Sequence, residues 1–326
     1  MRFFPSNYGV IVGVTVQKID APKFELRFLG PRFWLVWLGF IFLFLLTCLP
    51  YRVVRFVGAG LGKIMALLGK KRIAIARRNL ELCFPHLSEK QREQLLSDNI
   101  AASGMAVLET VMGWWWPDWR VKRLVTFEGF EHIAAIRKRG KGIFGIAIHC
   151  LSLEFACRAL GFKQPCVAFY RKHNNDLMEY LQYHGRARSN KYMINKRDVK
   201  GMFQALDDGE LTLYLPDQDY GLNRSIFVPF FDVAETATTT GPIMFMRNSD
   251  CEAVFIQSIS SPNGYTIKIT PGIDGFPSGD DRQDMTKLNS KVEDMIMLAP
   301  EQYLWMHKRF KTRPNPEDDS LYRDLK

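Results

Sequence analysis

A chain of 326 residues with 47% hydrophobic content can bury a sizeable core, which sets aside an intrinsically disordered protein. Its formal net charge of +10 calls for an anionic partner: nucleic acid, a phosphorylated substrate, an acidic carrier protein or an anionic lipid surface. The six cysteines form neither a CxxC pair nor a His/Cys ligand spacing, so no metal site or disulfide framework is expected, and buried thiols in a reducing compartment fit best.

Residues 1–20 contain a short apolar stretch, Tyr8–Val16, that carries no functional reading. The run FWLVWLGFIFLFLLTCLPY, from Phe33 to Tyr51, is uncharged over 19 residues and reads as a membrane helix. Trp34, Trp37 and Tyr51 sit where interfacial anchors would. Basic residues dominate downstream of the run, from Arg52 to Arg78, which predicts that the C-terminal part faces the cytoplasm. Residues 53–69, with Gly58, Gly60 and Gly62, are expected to lie along the membrane surface. The organisation expected is an N-terminal extension (1–29), a membrane anchor with an interfacial segment (30–72) and a catalytic domain (73–326).

Ser88-Glu89-Lys90-Gln91 predicts a capping box that opens a helix toward Glu109. Trp114-Trp115-Trp116 cannot all face inward, so at least one is expected to meet lipid or substrate. Strands are predicted at Leu124–Glu128, Gly142–Ile148, Cys166–Tyr170, Glu210–Leu215, Glu252–Ser258 and Tyr265–Thr270, with helical stretches between most of them. GIFGIAI, from Gly142 to Ile148, is apolar on both faces, as the central strand of a covered sheet should be. The alternation implies an α/β layer fold.

His149 follows that strand directly, at the end where ligands bind in open α/β sheets. Glu154 lies five residues on. Within one continuous helix such a pair diverges by about 140°, so the two meet only if His149 precedes the first turn and folds back. Glu154 would then fix the imidazole tautomer and leave the other ring nitrogen to accept a proton. The helix-start amides of Leu151 and Ser152 could stabilise an oxyanion. Cys150 points to the opposite side from His149 and is set aside as a nucleophile.

A bare His and Glu five apart is as easily structural. The surrounding blocks add specificity: Gly30-Pro31-Arg32-Phe33-Trp34, Arg78-Asn79-Leu80-Glu81-Leu82-Cys83-Phe84-Pro85, Trp115-Trp116-Pro117-Asp118, Tyr170-Arg171, Arg188-Ser189-Asn190-Lys191, Pro216-Asp217-Gln218-Asp219-Tyr220-Gly221, Ala237-Thr238-Thr239-Thr240-Gly241 and Pro300-Glu301-Gln302-Tyr303. Over about residues 24–314 the chain resembles the late acyltransferases of lipid A biosynthesis. These belong to the wider glycerolipid-type acyltransferases, whose signature is His, four residues, then Asp or Glu. The resemblance is closer to the lauroyl- or palmitoleoyl-type branch than to the branch that adds the last, myristoyl chain.

The resemblance implies an α/β fold with a mixed sheet flanked by helices and an N-terminal membrane helix. It implies transfer of a fatty acyl chain, of lauroyl, myristoyl or palmitoleoyl type, from acyl carrier protein to a 3-hydroxyacyl hydroxyl of Kdo-lipid IVA. His149 maps onto the general base and Glu154 onto its orienting carboxylate. No cofactor is implied beyond the phosphopantetheine arm of the donor, and no metal. The location implied is the inner membrane, with the catalytic domain facing the cytoplasm.

Arg171 matches the block that binds the acceptor's phosphate or polar head, a role suited to guanidinium geometry. Asn174 and Asn175 are weaker candidates, since a turn after a strand uses asparagine anyway. Asp217 is balanced between turn chemistry, with Gly221 supplying positive φ, and the acceptor site. The Glu-Gly-Thr-Arg of many glycerol-phosphate acyltransferases is absent from this block, which argues against lysophosphatidate as acceptor. Arg188 belongs to a basic stretch, Arg186 to Lys200, that suits anionic lipid or an acidic carrier; His307 to Arg313 forms another. Ser225–Phe231 is an apolar candidate for pocket, membrane contact or core.

The competing readings are an acyltransferase acting on a lysophospholipid or glycolipid, and a membrane-tethered, non-enzymatic anion-binding protein. No nucleic-acid module is recognisable.

Overall fold

The computed structural model describes residues 16–315 and 317–325; nearly all of the Tyr8–Val16 stretch lies outside them. The chain opens with four helices, α1 (Trp34–Thr47), α2 (Tyr51–Leu68), α3 (Lys70–Cys83) and α4 (Glu89–Trp115), followed by the short α5 (Asp118–Lys122). The α/β portion then runs β1 (Val125–Glu128), α6 (Phe130–Lys138), β2 (Gly142–Ala147), α7 (Leu153–Gly161), β3 (Cys166–Tyr170), α8 (Asp176–Ala187), β4 (Asn190–Asn195), α9 (Val199–Asp207) and β5 (Leu211–Tyr214). A hairpin, β6 (Ser225–Phe230) and β7 (Val233–Thr239), leads to α10 (Gly241–Asn248), β8 (Cys251–Ser261), β9 (Gly264–Pro271) and α11 (Asp281–Met297).

Seven strands form one sheet in the order β1-β9-β8-β2-β5-β3-β4. The five from β8 to β4 are mutually parallel, while β9 pairs with β8 antiparallel and β1 with β9 parallel, so the sheet is mixed. Every residue of β2 is buried. Its side chains alternate: Phe144 and Ile146 enter the core with Met202, Tyr214 and Phe245, and Ile143 enters the opposite core with Ala159, Leu211 and Val254. That two-sided burial accounts for the unbroken apolar run seen in the sequence. The outer edge of β4 is covered by the N-terminal segment, where the Ile19 amide donates to the Met193 carbonyl at 2.9 Å.

The expected α/β architecture with flanking helices is present, but the expected N-terminal membrane helix is not. No helix among the described residues is long and apolar enough to cross a membrane. The apolar run is broken at Pro50, which disfavours helix in the residue before it, and α1 stops at Thr47 after 14 residues, roughly 21 Å. Phe33 and Thr47, at its two ends, are buried in the protein. Helix α2 continues in a new direction and packs along α4, where glycines allow close approach. A Cβ on Gly104 would lie 2.1 Å from the Gly58 carbonyl oxygen and from the Gly62 nitrogen.

The Ser88/Gln91 capping box is present, and α4 runs past Glu109 to Trp115. Two of the three tryptophans face inward: Trp114 donates to Glu154 and Trp116 to Thr47. Trp115 is half-buried, stacked edge-on against Phe40. Strand β4 and the β6–β7 hairpin are additional to the strands that the sequence predicts. Ser225–Phe231 proves to be mostly a hairpin strand, tied to α11 through Asn289, which donates to the Pro229 carbonyl at 2.7 Å.

Candidate active site

Strands β2 and β5 are parallel neighbours in which Ile146 pairs with Tyr214. His149 lies three residues beyond Ile146, and Asp217 three beyond Tyr214, so the register brings them level as both strands leave the sheet. The Asp217 carboxylate accepts from the His149 backbone amide at 2.9 Å and meets the ring Nδ1 at 2.7 Å. Its side chain is wholly buried, whereas that of His149 keeps 24% exposure.

Burial drives the Asp217 carboxyl toward the neutral form, but the His149 ring and amide outweigh it and hold its pKa below the ordinary carboxylate value. An ionised Asp217 accepts only, so Nδ1 must carry the proton and Nε2 is left with a free lone pair. The arrangement has the geometry of a histidine oriented by a carboxylate. From the far side, the Tyr303 hydroxyl donates to the Asp217 carbonyl at 3.2 Å and the Leu304 amide to the His149 carbonyl at 3.1 Å. The segment after α11 thus straps both turns in place.

The structure does not bring Glu154 onto His149. Glu154 opens α7 and is held elsewhere: the Trp114 indole donates to Oε2 at 2.8 Å, and Arg186 Nε donates to the two carboxylate oxygens at 3.1 and 3.2 Å. Burial lowers the Arg186 pKa, yet the Glu154 charge outweighs it and the net shift is upward. The pair joins α4, α7 and α8 beside the site.

Arg171 is exposed just beyond β3, on the same sheet edge as His149, and makes no ion pair among the described residues. Asn174 is exposed in the same loop, while Asn175 caps α8 by accepting from the amides of Leu177 and Met178. Arg188 follows α8, ahead of β4 and at the end of that strand away from the His149 edge, and it donates to the Trp114 carbonyl at 2.7 Å and to Asp118 at 3.1 Å. The turn chemistry expected of Asp217 belongs to Asp219, which accepts from Gly221, at φ 82°, and from the amide and hydroxyl of Thr312.

Cys150 is buried and its thiol is pushed up to about 11 by burial, so it carries little thiolate. The Leu151 amide, expected to face an oxyanion, donates to the Gln302 carbonyl at 2.8 Å. No His/Cys/Asp/Glu group able to hold a metal occurs among the described residues.

The mixed α/β sheet thus carries a histidine paired with a buried carboxylate at its strand ends, the place where open α/β sheets bind ligands. Comparison with known proteins specifies the class. Residues 21–312 match the family described as bacterial lipid A biosynthesis acyltransferase. The chain is 43% identical over 302 residues to the lipid A biosynthesis palmitoleoyltransferase of Escherichia coli strain K12, covering 92% of this chain and 98% of that one. To the lauroyltransferase of the same strain it is 43% identical over 297 residues, 90% and 97% of the two chains. To the myristoyltransferase it is 27% identical over 296 residues, 90% and 91%. The chain therefore belongs to the lipid A biosynthesis acyltransferase family and lies nearer the lauroyl and palmitoleoyl relatives, as its sequence blocks indicate.

Proposed function

We propose that this protein transfers a fatty acyl chain from acyl carrier protein to a 3-hydroxyacyl hydroxyl of Kdo-lipid IVA, with His149 as general base and Asp217 as its orienting carboxylate. The observation that carries the reading is the His149 Nδ1 contact with buried, ionised Asp217 at 2.7 Å. His149 Nε2 takes the acceptor hydroxyl proton as that oxygen attacks the thioester carbonyl. The tetrahedral oxyanion collapses, the ester C–O bond is complete, the C–S bond breaks, and the leaving thiolate recovers the proton from Nε2. Such a base contributes roughly 10²–10⁴ in rate. Glu154 acts at one remove, holding Arg186 and the start of α7. The chemistry asks for no metal or organic cofactor besides the donor's phosphopantetheine arm.

Arg171, with Asn174 beside it, is assigned to the acceptor's anionic head. The β3 end lies two strands from β2, roughly 10 Å away at the usual strand spacing, and Arg171 has no acidic partner among the described residues. Membrane association is assigned to the exposed apolar side chains of α1 and α2, among them Leu35, Leu38, Phe42, Leu45, Phe56 and Leu68. These would enter one leaflet of the inner membrane without crossing it, with the catalytic edge served from the cytoplasm.

The test is mass spectrometry of lipid A from cells lacking the protein, complemented with wild type or His149→Ala, alongside assays of purified protein with acyl carrier protein thioesters. A secondary acyl chain restored by wild type alone is the expected result, and the same spectra report which chain is added. Acylation of a lysophospholipid in place of the lipid A precursor would overturn the acceptor, and full complementation by His149→Ala would overturn the mechanism.

A further inference from the structure

The segment tied to both catalytic turns carries a second imidazole. Residues 303–312 are stitched to both catalytic turns: Leu304 to the His149 carbonyl, Tyr303 to the Asp217 carbonyl and Thr312 to the Asp219 carboxylate. His307 lies in the middle of this strap. Its backbone is fixed, since the carbonyl accepts from the Asn79 side chain at 2.7 Å and from the Arg309 amide at 2.8 Å.

The ring is treated unevenly by its surroundings. Nδ1 is fully buried with no hydrogen-bond partner among the described residues. A buried N–H without an acceptor forfeits its full hydration, whereas a bare ring nitrogen is the less costly atom to leave there. The proton therefore belongs on Nε2. That nitrogen also lacks a partner among the described residues, but it is not among the buried unpartnered atoms, so it stays accessible.

We infer that His307 is a further catalytic residue of the acyl transfer, presenting an Nε2–H to the negative charge that develops on the attacked carbonyl oxygen. This rests on the acyl-transfer reading of the site. It supplies a donor where the Leu151 amide is already engaged, and it does so without transferring its proton.

Four charged or titratable groups act on the ring. Burial lowers the His307 pKa most, and His149 lowers it next; Asp217 and Asp219 act upward and Arg309 downward, with a net shift below the ordinary histidine value. His307 thus stays neutral while His149 takes the substrate proton, so two imidazolium ions never face each other.

Amide replacements separate the two ring nitrogens, because the Gln amide nitrogen falls near Nε2 and the Asn amide nitrogen near Nδ1. The experiment measures kcat and KM for wild type, His307→Gln and His307→Asn with an acyl carrier protein thioester and the lipid A precursor. Thermal midpoints show that each variant folds. His307→Gln is expected within about tenfold of wild-type kcat, and His307→Asn about 10²–10³-fold below it with KM little changed. Equal losses in the two variants, or wild-type kcat in His307→Asn, would overturn the inference.

A second measurement needs no turnover. ¹⁵N NMR of ring-labelled protein at pH 7 should show His307 neutral and protonated on Nε2, and a proton on Nδ1 would overturn the inference as well. If the wild-type enzyme prefers another acceptor, the Gln/Asn contrast is read with that acceptor, so failure of the proposed substrate and failure of the His307 role give different results.

Discussion

Replacing Asp217 with Asn is the sharpest perturbation of the dyad, because it keeps the volume and removes only the charge and one acceptor. Asp217 accepts twice from His149, from the backbone amide at 2.9 Å and at the ring at 2.7 Å. An Asn has one acceptor oxygen and one donor nitrogen to place in the same two positions. Facing NH₂ toward the backbone amide sets donor against donor in a fully buried spot. The favoured arrangement therefore puts oxygen on the amide and NH₂ on Nδ1. That forces Nδ1 to accept, moves the ring proton to Nε2 and abolishes the base. The expected loss is roughly 10²–10⁴ in kcat, equivalent to about 3–5 kcal/mol of barrier, with KM little altered because the acceptor contacts assigned above lie on β3. The assay is steady-state transfer to the lipid A precursor, with a thermal melt to confirm folding. A folded Asp217→Asn enzyme within tenfold of wild-type kcat would show that Asp217 does not set the His149 tautomer.

Glu154 and Arg186 should behave as a coupled pair. In a double-mutant cycle, Glu154→Gln and Arg186→Gln are each expected to destabilise by about 1–3 kcal/mol, and the double variant by clearly less than their sum; strict additivity in chemical denaturation would contradict the pairing. Glu109 is buried in α4 beneath the Tyr265 hydroxyl, which donates to it at 2.7 Å, and burial pushes its carboxyl up to about 7. Its folded pKa is thus raised, so its stabilising contribution is complete below about 4.5 and is lost as pH rises toward 7, by up to about 3 kcal/mol. Denaturant titrations of Glu109→Gln against wild type should diverge in favour of the variant between pH 5 and pH 8. A constant difference across that range would refute the shift. Gly104→Val drives side-chain atoms into the backbone of α2 and is expected to lower stability by about 3 kcal/mol or more, measured as a drop in denaturation midpoint. Leu38→Glu together with Phe42→Glu should release the protein from vesicles of anionic phospholipid in a flotation assay while its melting temperature holds, since both side chains are exposed; unchanged flotation would move the membrane contact elsewhere.

What could be read from the sequence was whatever periodicity encodes locally. β2 was legible because burial on both faces leaves an unbroken apolar run, and β3 because Cys166–Tyr170 is apolar between a proline and a charged loop. β4 was not, since NKYMIN mixes polar and apolar residues in the manner of a covered edge strand and sits inside what reads as a basic stretch. The membrane helix was overcalled for a related reason. A window average over Phe33–Tyr51 does not register that Pro50 redirects the chain or that Phe33 and Thr47 turn into the protein.

His149 stands out in the sequence by its place after a buried strand, and that logic extends to the residue it contacts. Two parallel neighbours that leave a sheet in register deliver residues at equal offset to the same point, so the residue most apt to meet His149 is the one three beyond Tyr214 and not one further along its own chain. The spacing of five suggests pairing His149 with Glu154, but His149 precedes α7 and the helix turns Glu154 toward Trp114 and Arg186. The missing information was the strand order. Only when β5 is known to lie beside β2 does Asp217 pass from a residue of a turn to the carboxylate that meets the His149 ring. The strap bearing His307 is farther still from the sequence signal, because its contacts with the His149 and Asp217 turns depend on β2, β5 and the segment after α11 meeting at one edge of the sheet.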